Sequence, residues 1–335
     1  MAGCAASEGI TVDGPVTVYV SLPLSGPRSA DGIDAADGAR LALEQAGGKA
    51  ADLEVEAEYL DDARGSRWDA AAVGENARDA AEDSSAAAYL GELESQPTRA
   101  SAPITNEAGI VQVSPGAGAV DLTRPAAGYP DSPDRYRPSD EPRFARVIPA
   151  DDLQTRAAAE WAQELGATRV RVDLERSRFG RLTAEQFSAD AAEVGIEVAA
   201  AGGRADLTLS AGEDNSLRLS DGGEHLLAAA LDPGSLPAAG FATDFRAAYG
   251  RDPGPYAAYG YEAMSLVLQA IAEAADANEE FRDAVVDAVL GAERPESILG
   301  RYSITDEGDS TLCAIQRYTV DAGRPVPDQA TCPSG

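Results

Sequence analysis

Three stretches decide the fold: Val16 to Gly26 reads VTVYVSLPLSG, Ala86 to Ser95 reads AAAYLGELES, and Ile110 to Gly118 reads IVQVSPGAG. Each opens on a short apolar run, giving predicted strands at Val16 to Ser21, Ala86 to Gly91 and Ile110 to Ser114. Each then empties into a small loop bearing Ser or Gly and passes into a helical pattern. Strands that alternate with helices build a parallel sheet, because a parallel neighbour is reached only through a crossover. In such a sheet the loops at the carboxyl ends of the strands line the crevice where ligands bind.

Outward from these stretches, Asp37 to Ala46 places Ala39, Ala42, Leu43 and Ala46 at helical spacing, and Gly47-Gly48 stops the helix. A strand over Val55 to Leu60 and helices over about 68–81 and 97–108 complete one doubly wound half. From Asp121 to Pro142, five prolines break the pattern into an irregular connection. Regular grammar resumes with a strand at Phe144 to Ile148 and a helix carrying Leu153, Ala157, Trp161 and Leu165. A strand at Arg169 to Asp173, a helix at Leu182 to Val194 and a strand at Ile196 to Ala200 follow.

Asp206 to Ser210 and Leu217 to Ser220 are further strands, yet only the six residues Ala211 to Ser216 separate them. A parallel crossover needs about 10 to 12 residues, so either a helix has been lost or the pairing changes locally. His225 to Leu231 fits a helix or a strand, and helices over 256–275 and 280–290 precede a strand-rich tail from Tyr302 to Val320. The expected fold is α/β, two doubly wound parallel-sheet lobes with the second one shortened.

A chain of 335 residues, 44% hydrophobic, can bury two such lobes. Its 27 basic and 57 acidic residues give a net charge of -30, which repels nucleic acid and anionic membrane surfaces. No run approaches the roughly 18 apolar residues of a membrane span. Cys313 and Cys332 are near neighbours, whereas Cys4 stands alone in a small-residue N-terminus; the pair reads as a disulfide or as two free thiols. Ala2-Gly3-Cys4 is similar to the end of a bacterial lipoprotein signal, which would make Cys4 a lipidated residue and 1–14 a tether; the bland alternative is a frayed terminus.

Enzyme chemistry is poorly served. His225 is the only histidine and sits beside an apolar run, no His/Cys/Asp cluster has metal-ligand spacing, and no phosphate-binding glycine fingerprint occurs. The carboxylate pairs Asp61-Asp62 and Asp151-Asp152 are what an acidic composition supplies by chance. No cofactor or metal is expected. Ser25, Ser95 and the Ser114 to Gly118 loop are better placed, since a hydroxyl beside the free N–H groups of a helix start can bind a carboxylate or simply cap the helix.

The runs Val16 to Gly48, Asp61-Asp62, Asn76-Ala77-Arg78 and Ala88 to Thr123 resemble the type I periplasmic-binding-protein superfamily, specifically the branched-chain amino-acid group of ABC-transporter substrate-binding proteins. FARVIPADD at Phe144 to Asp152, GPYAAYGYEAM at Gly254 to Met264 and the run Gly300 to Gly308 extend the likeness. The resemblance implies two lobes joined by three crossings and closing over a small molecule, with residues 15–145 and 237–300 in one lobe and 146–236 and 301–333 in the other. It implies an extracytoplasmic protein, periplasmic or at the cell surface, delivering solute to ABC permease subunits. A ligand-sensing receptor, or a degenerate lobe pair acting through protein contacts, are alternatives on the same fold.

By the same resemblance Ser95 holds a ligand carboxylate, the carbonyl of Ala117 and the side chain of Asp221 receive an ammonium, and Phe179 packs over the ligand. The chain departs from the pattern at Gly118, where relatives often carry a hydroxyl, and at Glu94 and Asp31, where a small or neutral and an aromatic residue are usual. An unpaired carboxylate is costly in a closed apolar site, so Glu94 and Asp31 point to a cationic or strongly hydrogen-bonding ligand rather than a plain branched-chain amino acid.

Overall fold

A computed structural model describes residues 14–174, 178–200, 202–211, 216–220, 224–275, 277, 280–322 and 324–334. The first lobe is built from β1 (Val16–Leu22), α1 (Ser29–Gln45), β2 (Lys49–Ala50), β3 (Leu53–Asp61), α2 (Ala70–Glu82), β4 (Ala86–Leu90), α3 (Ser95–Glu107), β5 (Val111–Ser114) and β6 (Phe144–Arg146). Its sheet runs β2-β3-β1-β4-β5-β6, parallel throughout except at the short β2 edge. β4 and β5 are buried along their whole length, which is why they read as unbroken apolar runs rather than as alternating ones.

The chain then crosses into α4 (Asp151–Glu164), β7 (Arg169–Val172), α5 (Arg178–Glu193), β8 (Glu197–Val198), β9 (Leu207–Ala211), β10 (Leu217–Ser220) and β11 (Glu224–Ala228). It returns to the first lobe with α6 (Phe241–Tyr249), α7 (Pro255–Ala274) and α8 (Phe281–Val289), followed by a small ladder of β12 (Glu293–Arg294) and β13 (Tyr302–Ser303). A third crossing delivers β14 (Gln316–Asp321) and β15 (Arg324–Pro327) to the second sheet, whose order is β15-β14-β11-β10-β9-β7-β8. Cys313 and Cys332 form a disulfide at the base of this last hairpin.

Among the described residues only β7 pairs in parallel here, with β8 and β9; from β9 to β15 the sheet is antiparallel. The expectation of a second doubly wound parallel sheet is therefore corrected to a mixed one. Of the two outcomes left open by the short link after β9, the change of pairing is the one realised, and His225 falls in strand β11. Antiparallel pairing needs no crossover helices, so α4 and α5 cover one face alone. Leu207, Leu209, Leu217, Leu219 and Leu227 point to that face and pack with Trp161 and Phe187, while Thr208, Arg218 and Ser220 alternate away from it. His225 stacks edge-on against Trp161 with ring centroids 5.0 Å apart.

In the first lobe α1 and α7 pack backbone to backbone. A side chain at Gly38 would meet the carbonyl oxygen of Ala257 at 1.9 Å, and one at Gly260 would meet that of Ala35 at 2.0 Å. Both clashes are with main chain in the middle of the core, where nothing swings aside. Gly260→Ala should therefore destabilise the protein by about 1 to 3 kcal/mol, read as a lower denaturant midpoint, whereas replacement of exposed Gly240 should not.

The first and third crossings are locked by one guanidinium. Fully buried Arg146 donates from Nε to Asp309 Oδ1 (2.9 Å), from Nη1 to the carbonyls of Ala117 (2.8 Å) and Ala119 (2.9 Å), and from Nη2 to Thr123 Oγ1 (2.6 Å). Asp309 also accepts from Arg124 Nε at 2.6 Å, and Arg124 Nη2 reaches Asp152 at the start of α4 at 3.1 Å. Burial would raise the Asp309 carboxyl, but Arg146, Arg124 and the Thr123 hydroxyl hold it below the ordinary carboxylate value. Its contribution to stability is thus present above the unfolded carboxyl value of 3.8 and lost as pH falls through the lower folded one. Asp309→Asn leaves Arg146 as an uncompensated buried charge and should cost about 3 to 5 kcal/mol at pH 7, with the gap to wild type shrinking in acid denaturation.

Candidate functional site

Between the lobes lies a cleft of about 960 Å³. Its first wall is made where β1, β4 and β5 end: Arg28 and Asp31 after β1, Leu93 to Gln96 after β4, and Gly116 and Gly118 after β5. The opposite wall comes from the end of β7 (Asp173, Leu174), from Gly180 in α5, and from Leu226, Ala228 and Tyr318 on the helix-free face of the antiparallel strands. The first crossing supplies Ile148, Asp151 and Gln154, the second Ala229, Ala230 and Asp232, and the start of α7 adds Pro255 and Tyr256. This is the crevice at the carboxyl ends of the strands.

Ser95 opens α3 with its Oγ accepting from Ala119 N at 3.0 Å, so its hydroxyl proton and the first amides of the helix remain available to the cleft. Glu94 and Asp31 line the cleft as expected, but the structure gives both acids partners. Arg67 clasps the Glu94 carboxylate through Nε (2.9 Å) and Nη2, while Arg28 lies 3.3 Å from Glu94 and 3.2 Å from Asp31. Arg28 also faces the ring of Tyr256 at 5.7 Å. Neither acid is an unpaired charge, so the argument for a cationic ligand cannot rest on them.

Two expected contacts are directed elsewhere. Ser25 donates to Asp61 Oδ2 (2.6 Å) and accepts from Gly65 N (2.6 Å), tying the exits of β1 and β3 together, and it does not line the cleft. Ala117 is fully buried, and its carbonyl is turned inward to Arg146. Gly118 does line the cleft, and the space its side chain would fill is taken by the carboxylate of Asp151, with Oδ1 at 2.1 Å from the ideal Cβ position. The side chain of Phe179, and Cys4 and Asp221, lie outside the described residues.

Arg28, Arg67, Asp151 and Tyr256 are among the lining residues that sequence reasoning missed. The pairs Arg28–Glu94 and Arg67–Glu94 join residues distant in sequence with no spacing to betray them, and Asp151 was hidden by the acidic composition. Among the described residues no group of three or more His, Cys, Asp or Glu could hold a metal ion. Nor is any helix among them long and apolar enough to cross a membrane.

Beneath the β4 exit lies a second acidic feature. Glu92 is fully buried and accepts from Ser21 Oγ (2.9 Å) and Tyr89 Oη (2.7 Å), and Asp62, also buried, hydrogen-bonds it. Burial, then the facing Glu92 charge, drives the Asp62 carboxyl far above its ordinary value. Burial raises the Glu92 carboxyl as well, so the pair favours sharing one proton over carrying two charges. A native state that holds one more proton than the unfolded chain loses stability as pH rises from the unfolded value of 3.8 toward the raised folded one, by at most about 1.4 kcal/mol per unit. Asp62→Asn offers Glu92 a donor without an ionisable group and should flatten the decline of thermal midpoint between pH 5 and 8; an unchanged slope would show that the pair holds no extra proton there.

Two α/β lobes joined by three crossings around a cleft define a two-lobed ligand-binding protein. The chain belongs to the periplasmic binding protein family, whose model matches residues 15–214. Solved structures of the same fold include a leucine-binding protein from Thermotoga maritima MSB8 (21% identity, TM-score 0.75, 95% of this chain and 99% of that one). A branched-chain amino-acid transporter substrate-binding protein from Streptococcus pneumoniae, in complex with isoleucine, is similar at 16% identity and TM-score 0.74 over 95% of this chain and 100% of that one. A solute-binding protein of an ABC transporter from Rhodopseudomonas palustris BisB5, in complex with 3,4-dihydroxybenzoic acid, matches at 16% identity and TM-score 0.73 over 96% of this chain and 98% of that one. No curated protein matches the sequence.

Proposed function

We propose that this protein is the extracytoplasmic solute receptor of an ABC importer, which captures a small polar molecule by lobe closure and presents it to permease subunits without chemically changing it. The observation that carries this reading is the cleft itself, bounded by strand ends of one lobe and by both the sheet and the crossings of the other. The bodies that move are the two lobes, residues 15–145 with the segment from 237 and residues 146–236 with the last hairpin; the ladder β12–β13 and the core residues Tyr302 and Ile304 go with the first, so the boundary expected at residue 300 falls beyond Ile304. Ser95 and the first turn of α3 supply hydrogen-bond donors, and Gly118 makes room for the Asp151 carboxylate at the β5 exit. The solved relatives with isoleucine and with a dihydroxybenzoate lend support, since each is a substrate-binding or solute-binding protein of a transporter. The disulfide suits an oxidising compartment, and Cys4 is the residue we assign to a lipid anchor.

Ligand binding selects the closed arrangement only through its greater affinity for that arrangement. Native mass spectrometry of freshly purified protein should find a small molecule retained at one per chain. Adding it back to stripped protein should contract the radius of gyration in X-ray scattering, and at about 100-fold excess over Kd should stabilise the fold by about 3 kcal/mol. Failure of both cell extract and a broad metabolite panel to move either quantity would overturn the reading.

A further inference from the structure

The cleft's charges are not balanced once its ion pairs are removed. Among the described lining residues there are three arginines, and each already has a carboxylate: Arg67 on Glu94, Arg28 on Glu94 and Asp31, and Arg99 on Asp121 through Nε (2.9 Å) and Nη2 (2.6 Å). Asp151, Asp173 and Asp232 line the same space, and among the described residues no arginine is bonded to them. Asp232 is turned to the amide of Gly234 (2.9 Å), and Asp173 stands exposed at the end of β7. Asp151 differs from both. It is the first residue of α4, on the crossing between the lobes, and it fills the hollow left by Gly118 at the β5 exit. Its main-chain N–H donates to the Gly118 carbonyl at 2.8 Å, which places the carboxylate beside the β5 exit, yet among the described residues no side-chain hydrogen bond or ion pair engages that carboxylate.

Resting on the receptor reading above, we propose that the cleft selects an organic cation and that Asp151 is the carboxylate that pairs with it. A ligand carboxylate at the Gly118 position would meet Asp151 head on, and each described lining arginine already holds a carboxylate. An ammonium or guanidinium there converts the half-buried acid into a charge-assisted pair that tightens as closure removes water. Burial pushes the Asp151 carboxyl up to about 6 against the pull of Arg146 and Arg99, in keeping with a carboxylate short of a partner. Tyr256 and Tyr318 line the same cleft.

Calorimetry on the stripped wild-type protein, with putrescine and agmatine as cations and leucine and benzoate as carboxylate controls, separates the possibilities. Expected are binding of at least one cation, none of the two controls, and at least a 30-fold loss of that affinity in Asp151→Asn. Binding of leucine or benzoate in place of the cations would overturn the inference and leave the receptor reading standing. Cation binding undiminished in Asp151→Asn would overturn the role of Asp151. If all four probes fail, the net charge of the molecule retained from cell extract decides: a positive one upholds the inference and a neutral or negative one overturns it. Silence of the probes and the extract together overturns both readings.

Discussion

A buried guanidinium organises this molecule. Arg146 sits at the end of β6 with no water to solvate it, and a cation so placed is tolerated only when its N–H groups find partners and its charge a counter-ion. Asp309 supplies the charge, and the carbonyls of Ala117 and Ala119 with the Thr123 hydroxyl take the remaining donors. Three consequences follow. The first and third crossings are held side by side, the β5 exit loop is drawn inward, and the Ala117 carbonyl faces the core rather than the cleft. The shape of the ligand wall is thus a by-product of solvating one arginine with protein.

Much of the first lobe was legible in the sequence because its strands are buried on both faces and therefore stand out as apolar runs between glycine- and serine-bearing loops. Legibility failed where helix formation is paid for by tertiary contact rather than local preference. The first two turns of α1, SADGID, hold Gly and Asp and almost no apolar residue, yet Gly32 packs under Pro23 and Asp34 pairs with Arg251. Periodicity alone starts that helix at Asp37. α6 was passed over for a related reason: it is short, and its buried face is two aromatics, Phe241 and Phe245.

At the site, chain position was a better guide than charge. Residues at strand exits, such as Glu94, Ser95, Asp31 and Gly118, do reach the cleft, because parallel topology sends them there. Electrostatic state was not legible, since whether an acid is free or paired depends on arginines from other loops. Glu94 looked like a lone acid and is clasped; Asp151 looked like compositional noise and faces the cleft without an arginine partner among the described residues. The shortage of residues after β9 was legible as a loss of crossover helices, and its structural answer, antiparallel pairing, follows from loop length alone.

The antiparallel pairing has a consequence for the order in which the chain can fold. β11 ends at Ala228, but its outer neighbour β14 begins only at Gln316, after all of α6, α7 and α8 have been made. A nascent chain leaving its channel amino end first would hold β11 as a raw sheet margin for that whole interval. The first lobe has its strands early and its α7–α8 cover late, so both lobes wait on the same C-terminal third. When the last hairpin docks, Pro325 and Pro327 leave its outer strand short of amide donors, so the margin that closes the sheet is a poor template for another chain.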